Sequence, residues 1–75
     1  MRPMARKPGE QLGVNIRQAR EKLGLSQEAL AYAADLHRTE ISHIERATRD
    51  VRISTVVRVA RALRVEPARL LRGVR

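Results

Sequence analysis

A cluster of polar side chains in the stretch LHRTEISHIER has the types and spacing needed to form hydrogen bonds with a flat, polar partner. At about 100° per residue, one side of a helix would carry Arg38, Thr39, Ser42, His43 and Arg46. Arg can donate two parallel bonds to guanine, Ser and Thr can touch base edges or a thymine methyl, and His can donate to a purine N7. The face is therefore a candidate for reading base pairs. Periodicity alone favours the plainer interpretation, a solvated helix face.

The net charge favours a polyanionic partner. The 75 residues contain 16 Lys and Arg against 8 Asp and Glu, which gives a formal charge of +8. So large an excess in one small domain is typical of nucleic-acid binding. The chain has one Tyr and no Phe or Trp, so it offers no aromatic platform for unpaired bases. Double-stranded nucleic acid is therefore favoured over single strands.

Several other classes of protein are excluded by composition. There is no cysteine, so neither disulfides nor a thiolate metal site can form. His37 and His43 point to different faces of a helix and have no further ligand to complete a metal site. The apolar runs are too short for a membrane span, and the amino end does not resemble a secretory signal. No catalytic constellation or phosphate loop stands out. We expect a cytoplasmic protein that is not an enzyme and needs no metal or cofactor.

The chain begins with a basic stretch and then becomes periodic. Residues 1–9, with Arg2, Arg6 and Lys7, are predicted to be a flexible arm, either a generic electrostatic contributor or one that reaches DNA. Residues 10–75 are predicted to form one domain. Its first helix would start at Glu10 and end at Gly24, a typical helix terminator. Its apolar face is Leu12, Ile16, Ala19 and Leu23.

Four more helices are predicted after Gly24. Ser26 has the type and position of an N-cap for a second helix, in which Leu30, Ala31 and Ala34 face inward. The tight turn DLH leads to a third helix over residues 38–46, with Ile41 and Ile44 inward. A fourth helix has the apolar set Ile53, Val56, Val57, Ala60 and Leu63, and Pro67 opens a short fifth. No stretch alternates like a strand, so the fold is predicted to be all-α.

The order of these motifs resembles a known family. LGLSQEALAYAADLHRTEISHIER, followed by VVRVARALRVEPARLL, is similar to the phage-repressor (Cro/CI, XRE) family of helix-turn-helix proteins over residues 11–71. Within the family, the length and the stretch LHRT most resemble the controller proteins of restriction–modification systems. The resemblance implies a five-helix, lambda-repressor-like domain whose second and third helices form the helix-turn-helix. It also implies a sequence-specific, double-stranded DNA-binding transcriptional regulator.

The resemblance assigns roles to individual positions. Arg38, Thr39 and His43 match base-reading positions, and Arg20 and Glu45 match a partly buried ion pair. Ala31 matches a small residue that lets the second and third helices pack closely. The positions expected to flank the bases or meet phosphate are Gln27, Ser42, Arg46, His37, Thr48, Arg49 and Arg52. For His37, a loose cap of the third helix is the other interpretation.

Four positions depart from the family pattern or fit it awkwardly. Asp35 and Ala47 stand where glycine is usual, and Val51 replaces a common proline. Asp tolerates the positive φ expected at position 35 better than most residues. Glu40 could accept from a cytosine amine or pair with Arg38, but we favour a plain surface role.

The carboxyl-terminal part of the chain predicts self-association. Val59 is assigned off the buried stripe of the fourth helix, and Leu70, Leu71 and Val74 extend the apolar surface. Family members of this kind commonly form dimers through their last helices. A two-fold homodimer would separate the recognition helices by roughly 34 Å and predicts a near-palindromic operator.

Other surface residues receive plainer interpretations. The basic run Arg58, Arg61, Arg64, Arg69 and Arg72 is taken mostly as solvated surface, and Tyr32 is expected at the core edge or against a partner subunit. The alternative function is an antitoxin-type module that sequesters a partner protein. It is disfavoured because five helices use almost every residue.

Overall fold

The computed structural model describes residues 7–75, which form five α helices and no strand. They are α1 (Pro8–Lys22), α2 (Gln27–Ala34), α3 (Arg38–Arg46), α4 (Ile53–Leu63) and α5 (Pro67–Leu70). The predicted all-α, five-helix fold is confirmed. Within the described range, no helix is long and apolar enough to span a membrane.

The first helix begins two residues earlier than predicted, so Pro8 and Gly9 belong to α1 and not to the arm. Pro8 suits this first turn because the N–H that proline lacks would have no helical partner there. The Glu10 carboxylate accepts a hydrogen bond from the backbone N–H of Lys7 at 3.3 Å, which adds a cap. The remaining arm residues, including Arg2 and Arg6, lie outside the described residues.

The predicted signals at the helix ends are present. Gly24 has a positive φ of 71° just after α1. Ser26 caps α2, since its hydroxyl accepts from the N–H of Ala29 at 3.0 Å. Asp35 ends α2 in the left-handed conformation at φ 56°, as expected for a residue that replaces a turn glycine. The turn between α2 and α3 is thereby only three residues long.

Arg58 on α4 holds the end of α2 in place. Its Nε donates to the carbonyl oxygen of Ala34 at 3.2 Å, and its terminal nitrogen donates to that of Asp35. The same nitrogen lies 3.4 Å from the Asp35 carboxylate. These carbonyls would otherwise lack a helical partner. Arg58 therefore has a structural role, whereas the rest of the predicted basic run is exposed, as expected for most of it: Arg61, Arg64, Arg69 and Arg72.

The core is built mainly from aliphatic residues of α1 to α4. On α4 the buried stripe is Val56, Val59, Ala60 and Leu63. Val59 is fully buried, whereas Ile53 is 72% exposed and Val57 only half-buried. The prediction that Val59 lies off this stripe is wrong, because α4 packs against α2, α1 and α5 together and its buried arc turns toward Val59.

Gly13 allows α1 to approach the end of α3 very closely. A Cβ at this position would lie 2.6 Å from the backbone oxygens of both Ile44 and Glu45. No real side chain is tolerated at such a distance from backbone. Two residues further along α1, the Asn15 amide donates to the carbonyl oxygens of Leu70 and Arg72, each at 2.8 Å. Helix α1 thus fixes both α3 and the carboxyl-terminal segment.

Replacement of Gly13 by Ala should lower the free energy of unfolding by about 2 kcal/mol, because overpacking outweighs the helix propensity gained. Urea unfolding followed by circular dichroism measures the loss. Gly9→Ala on the same helix is the matched control, since its added Cβ would meet only the Ala47 Cβ at 3.7 Å. Equal midpoints for the two variants would contradict the close approach of α1 to α3.

Candidate nucleic-acid interface

Helix α3 separates an apolar side from a polar one. Ile41 is fully buried and Ile44 is 6% exposed. On the opposite side Arg38 and Thr39 are exposed and His43 is half-buried. The structure therefore brings the three predicted base-reading residues onto the outward side of one helix. The flanking Arg46 is exposed and Ser42 half-buried on the same element.

Two side chains cap the start of α3 reciprocally. The Nδ1 of His37 accepts from the N–H of Thr39 at 3.1 Å. In return, the Glu40 carboxylate accepts from the N–H of His37 at 3.2 Å. This is a capping box with His in the place of the usual hydroxyl residue. Of the two roles predicted for His37, capping is present, and Glu40 is a capping residue as well as a surface one.

An ion pair joins α3 to α1. The Nε of Arg20 lies 2.7 Å from one Glu45 oxygen, and a terminal nitrogen donates to the other at 3.1 Å. The two side chains are only 12% and 4% exposed. A further Arg20 nitrogen donates to the carbonyl oxygen of Leu25 at 2.8 Å. The hydrogen bonds to Glu45 raise the pKa of Arg20 above its usual range, so the guanidinium stays charged. The predicted partly buried ion pair is confirmed.

Gln27, at the start of α2, joins the same network. Its amide nitrogen donates to Glu45 Oε1 at 3.1 Å, so α1, α2 and α3 meet at one carboxylate. An amide group has two N–H donors, so this contact leaves the predicted phosphate contact possible. Glu45 receives three hydrogen bonds in all, which compensates for its burial.

The chain turns back toward α3 where that helix ends. Ala47 adopts the left-handed conformation at φ 56°, a geometry that glycine would reach without strain. The next residue, Thr48, then places its hydroxyl 2.6 Å from Nδ1 of His43. Thr48 was predicted to contact phosphate. In the structure its hydroxyl is hydrogen-bonded to His43 of the same chain.

His43 is kept neutral at the end of α3. Partial desolvation of the ring lowers its pKa below the usual range, and the positive charges of Arg49 and Arg46 lower it further. At pH 7 the imidazole therefore carries one ring proton. A neutral imidazole donates at one nitrogen and accepts at the other.

Cationic side chains surround this end of α3. Arg49 and Arg52 are exposed in the loop that follows the helix. Lys7, at the start of α1, lines the same shallow hollow as Arg46 and Arg49. Lys7 was predicted to lie in the amino-terminal arm, about 40 residues before Arg46 and Arg49 in the sequence. The packing of α1 against α3 places it beside them. Glu10 and Asp50 also line the hollow, so the basic character is partly offset.

The predicted dimer surface needs correction. Val59 is fully buried and Leu70 is 1% exposed, so both belong to the core and neither presents a surface to a second chain. Leu71 is 39% exposed, and Val74 is half-buried against the core. Tyr32 is 90% exposed on α2, so its predicted place at the core edge is also wrong.

Comparison with known proteins identifies relatives over most of the chain. Residues 16–70 match a family model described as helix-turn-helix. Control protein C.BamHI of Bacillus amyloliquefaciens is 48% identical over 60 residues, which cover 79% of this chain and 74% of the relative. Control protein C.SmaI of Serratia marcescens is 44% identical over 62 residues, covering 83% and 74%. The crystal structure of the restriction-modification controller protein C.AhdI from Aeromonas hydrophila has a TM-score of 0.81 at 35% identity and covers 83% of this chain and 94% of that one.

Replacement of Glu45 by Gln should lower the free energy of unfolding by about 3 kcal/mol, because Arg20 would keep a largely buried charge without its carboxylate. Chemical unfolding at pH 7 measures the change. Glu21→Gln is the matched control, since Glu21 pairs with Arg17 on the surface with side chains 54% and 64% exposed. That pair should contribute at most about 1 kcal/mol. Equal losses in the two variants would show that the buried network does not fix α3.

Proposed function

Because this chain belongs to the XRE-type family of helix-turn-helix DNA-binding regulators, we propose that it binds a near-palindromic operator as a homodimer, with one α3 in each major groove. The similarity to solved structures named as restriction–modification controller proteins leads us to propose that the operator controls the genes of such a system. The observation that carries it is the outward side of α3, where Arg38, Thr39 and His43 lie opposite a fully packed apolar side.

Each part of the interface has a distinct task in this proposal. The major groove is wide enough for an α-helix, and its base edges carry a distinct pattern of donors and acceptors for each base pair. Arg38 and Thr39, at the exposed start of α3, and His43, one turn later, supply the discrimination. The positive end of the α2 dipole and Gln27 approach one phosphate of the backbone.

The cationic side chains at the end of α3 hold the helix in the groove. Lys7, Arg46, Arg49 and Arg52 carry the charge for phosphate contacts that position the protein but read no sequence. Each neutralised phosphate releases counterions, so affinity falls steeply with salt concentration. Specificity and affinity thus come from different residues of one surface.

A homodimer matches the pseudo-symmetry expected of the operator. Two α3 helices one turn of duplex apart, roughly 34 Å, would read two half-sites on the same side of DNA. The exposed apolar side chain of Leu71 is the anchor of the proposed dimer interface, with Val74 three residues further along the chain.

Replacement of Arg38 by Ala should weaken operator binding by about 1–3 kcal/mol and relax the preference at one base position in each half-site. Selection from random duplexes, run with both proteins, measures the preference. Arg46→Ala should instead weaken binding to all sequences alike and make the salt dependence shallower by about one unit. Arg61→Ala, an exposed change on α4, serves as the background control. A uniform loss for Arg38→Ala would make Arg38 a phosphate contact.

Sedimentation equilibrium at micromolar concentration should give the mass of two chains, and Leu71→Asp should shift it toward one, because the carboxylate would have to be buried in the interface. Leu23→Asp is the matched control: Leu23 is 53% exposed at the end of α1 and should leave the mass unchanged. A wild-type mass of one chain would contradict the proposed homodimer.

A further inference from the structure

The hydrogen bond between His43 and Thr48 determines what His43 can offer to a base. Its length is 2.6 Å between Nδ1 and the hydroxyl oxygen. If the hydroxyl donates, Nδ1 is the acceptor and the ring proton sits on Nε2. If Nδ1 donates, Nε2 has no proton and can only accept. The two arrangements would match opposite groups on a base edge.

The surroundings of the hydroxyl decide the direction. For Nδ1 to donate, the Thr48 proton would have to go to water, because Thr48 is exposed, or to the His43 carbonyl oxygen at 3.5 Å. That oxygen already accepts from the backbone N–H groups of Ala47 and Thr48, the latter at 3.1 Å. A carbonyl has two lone pairs, so both are engaged. Nδ1 is thus the acceptor within the protein that remains open to the hydroxyl proton, and the 2.6 Å separation is typical of an O–H donor and shorter than an N–H donor usually makes.

We propose that Thr48 is a positioning residue that fixes the proton of His43 on Nε2, so that His43 reads a purine N7 as a hydrogen-bond donor. The inference rests on the DNA-reading function proposed above. The hydroxyl has one proton, so Thr48 has none left to donate to phosphate. A donor at Nε2 is compatible with a purine N7 and disfavours the amine of cytosine at the same place.

The local backbone makes this arrangement possible. Ala47 in the left-handed conformation reverses the chain and returns residue 48 to the side of α3 that carries His43. Partial desolvation of the ring, together with the positive charges of Arg49 and Arg46, lowers the pKa of His43, so the ring is neutral at pH 7. The Nε2 donor is thus oriented before DNA binds, and binding carries no further entropy cost for ordering this ring.

The tautomer can be measured on the free protein by nitrogen-15 NMR of the His43 ring at pH 7. Wild type and Thr48→Ser should carry the proton on Nε2, whereas Thr48→Val, which has the same shape without the hydroxyl, should shift toward the tautomer mixture of the urea-unfolded chain. A wild-type ring with its proton on Nδ1 would overturn the inference. So would a Thr48→Val ring that keeps the wild-type tautomer ratio.

The reading step is tested with operators that carry 7-deazapurine, which lacks N7, at the position where His43→Ala relaxes the selected sequence. Wild type and Thr48→Ser should bind the modified operator about three- to tenfold more weakly than the normal one, the effect of one hydrogen bond. For Thr48→Val the ratio should fall below about twofold. An unchanged ratio in Thr48→Val would overturn the role of Thr48.

The two measurements separate this inference from the function beneath it. A wild-type chain with the proton on Nε2 that selects no DNA sequence would overturn the proposed function, and the reading role of His43 with it. A chain that selects an operator but holds the proton on Nδ1 would overturn the inference alone.

Discussion

The contact of Arg20 with Glu45 is the constraint on which the orientation of α3 depends. With nine residues, α3 is too short to be stable by itself, so its direction is set by what it packs against. Ile41 and Ile44 anchor one side, and Gly13 lets α1 lie directly against its last turn. The ion pair, with Gln27 on the same carboxylate, then ties α1, α2 and α3 together at one point. The outward face of α3 has a fixed orientation because several independent contacts hold its inward face.

Short connections are what make so small a domain rigid, and they carry a conformational cost. Asp35, Ala47 and Arg64 each adopt a left-handed conformation at the end of a helix, where glycine would be unstrained. Arg58 offsets part of that cost at Asp35 by bonding the free carbonyls of α2. At Ala47 the left-handed conformation reverses the chain, so that the Thr48 hydroxyl lies against the His43 ring. A strained backbone position thus arranges side chains on the surface proposed to bind DNA.

Much of this fold was predictable because local signals and the family pattern agreed. The Gly24 terminator predicted the end of α1, the Ser26 cap and the apolar period predicted α2 and α3, and the resemblance supplied the Arg20–Glu45 pair. In α4, however, ISTVVRVARAL contains two overlapping apolar stripes, one through Val57 and one through Val59. Only the packing of neighbouring helices chooses between them. The close approach at Gly13 and the arrival of Lys7 near Arg49 were likewise invisible, because they join residues distant in sequence.

The most direct test is to titrate the nitrogen-15-labelled protein with the duplex it selects and to map which backbone amides shift. The account predicts the largest shifts along α3 and its following loop, residues 38–52, and at the start of α2 near Gln27. It also predicts that the amides at the exposed carboxyl end of α1, near Leu23, stay nearly unchanged. Amide shifts concentrated on the outer face of α1, with little change along α3, would contradict the claim that the outward face of α3 is the DNA-reading surface.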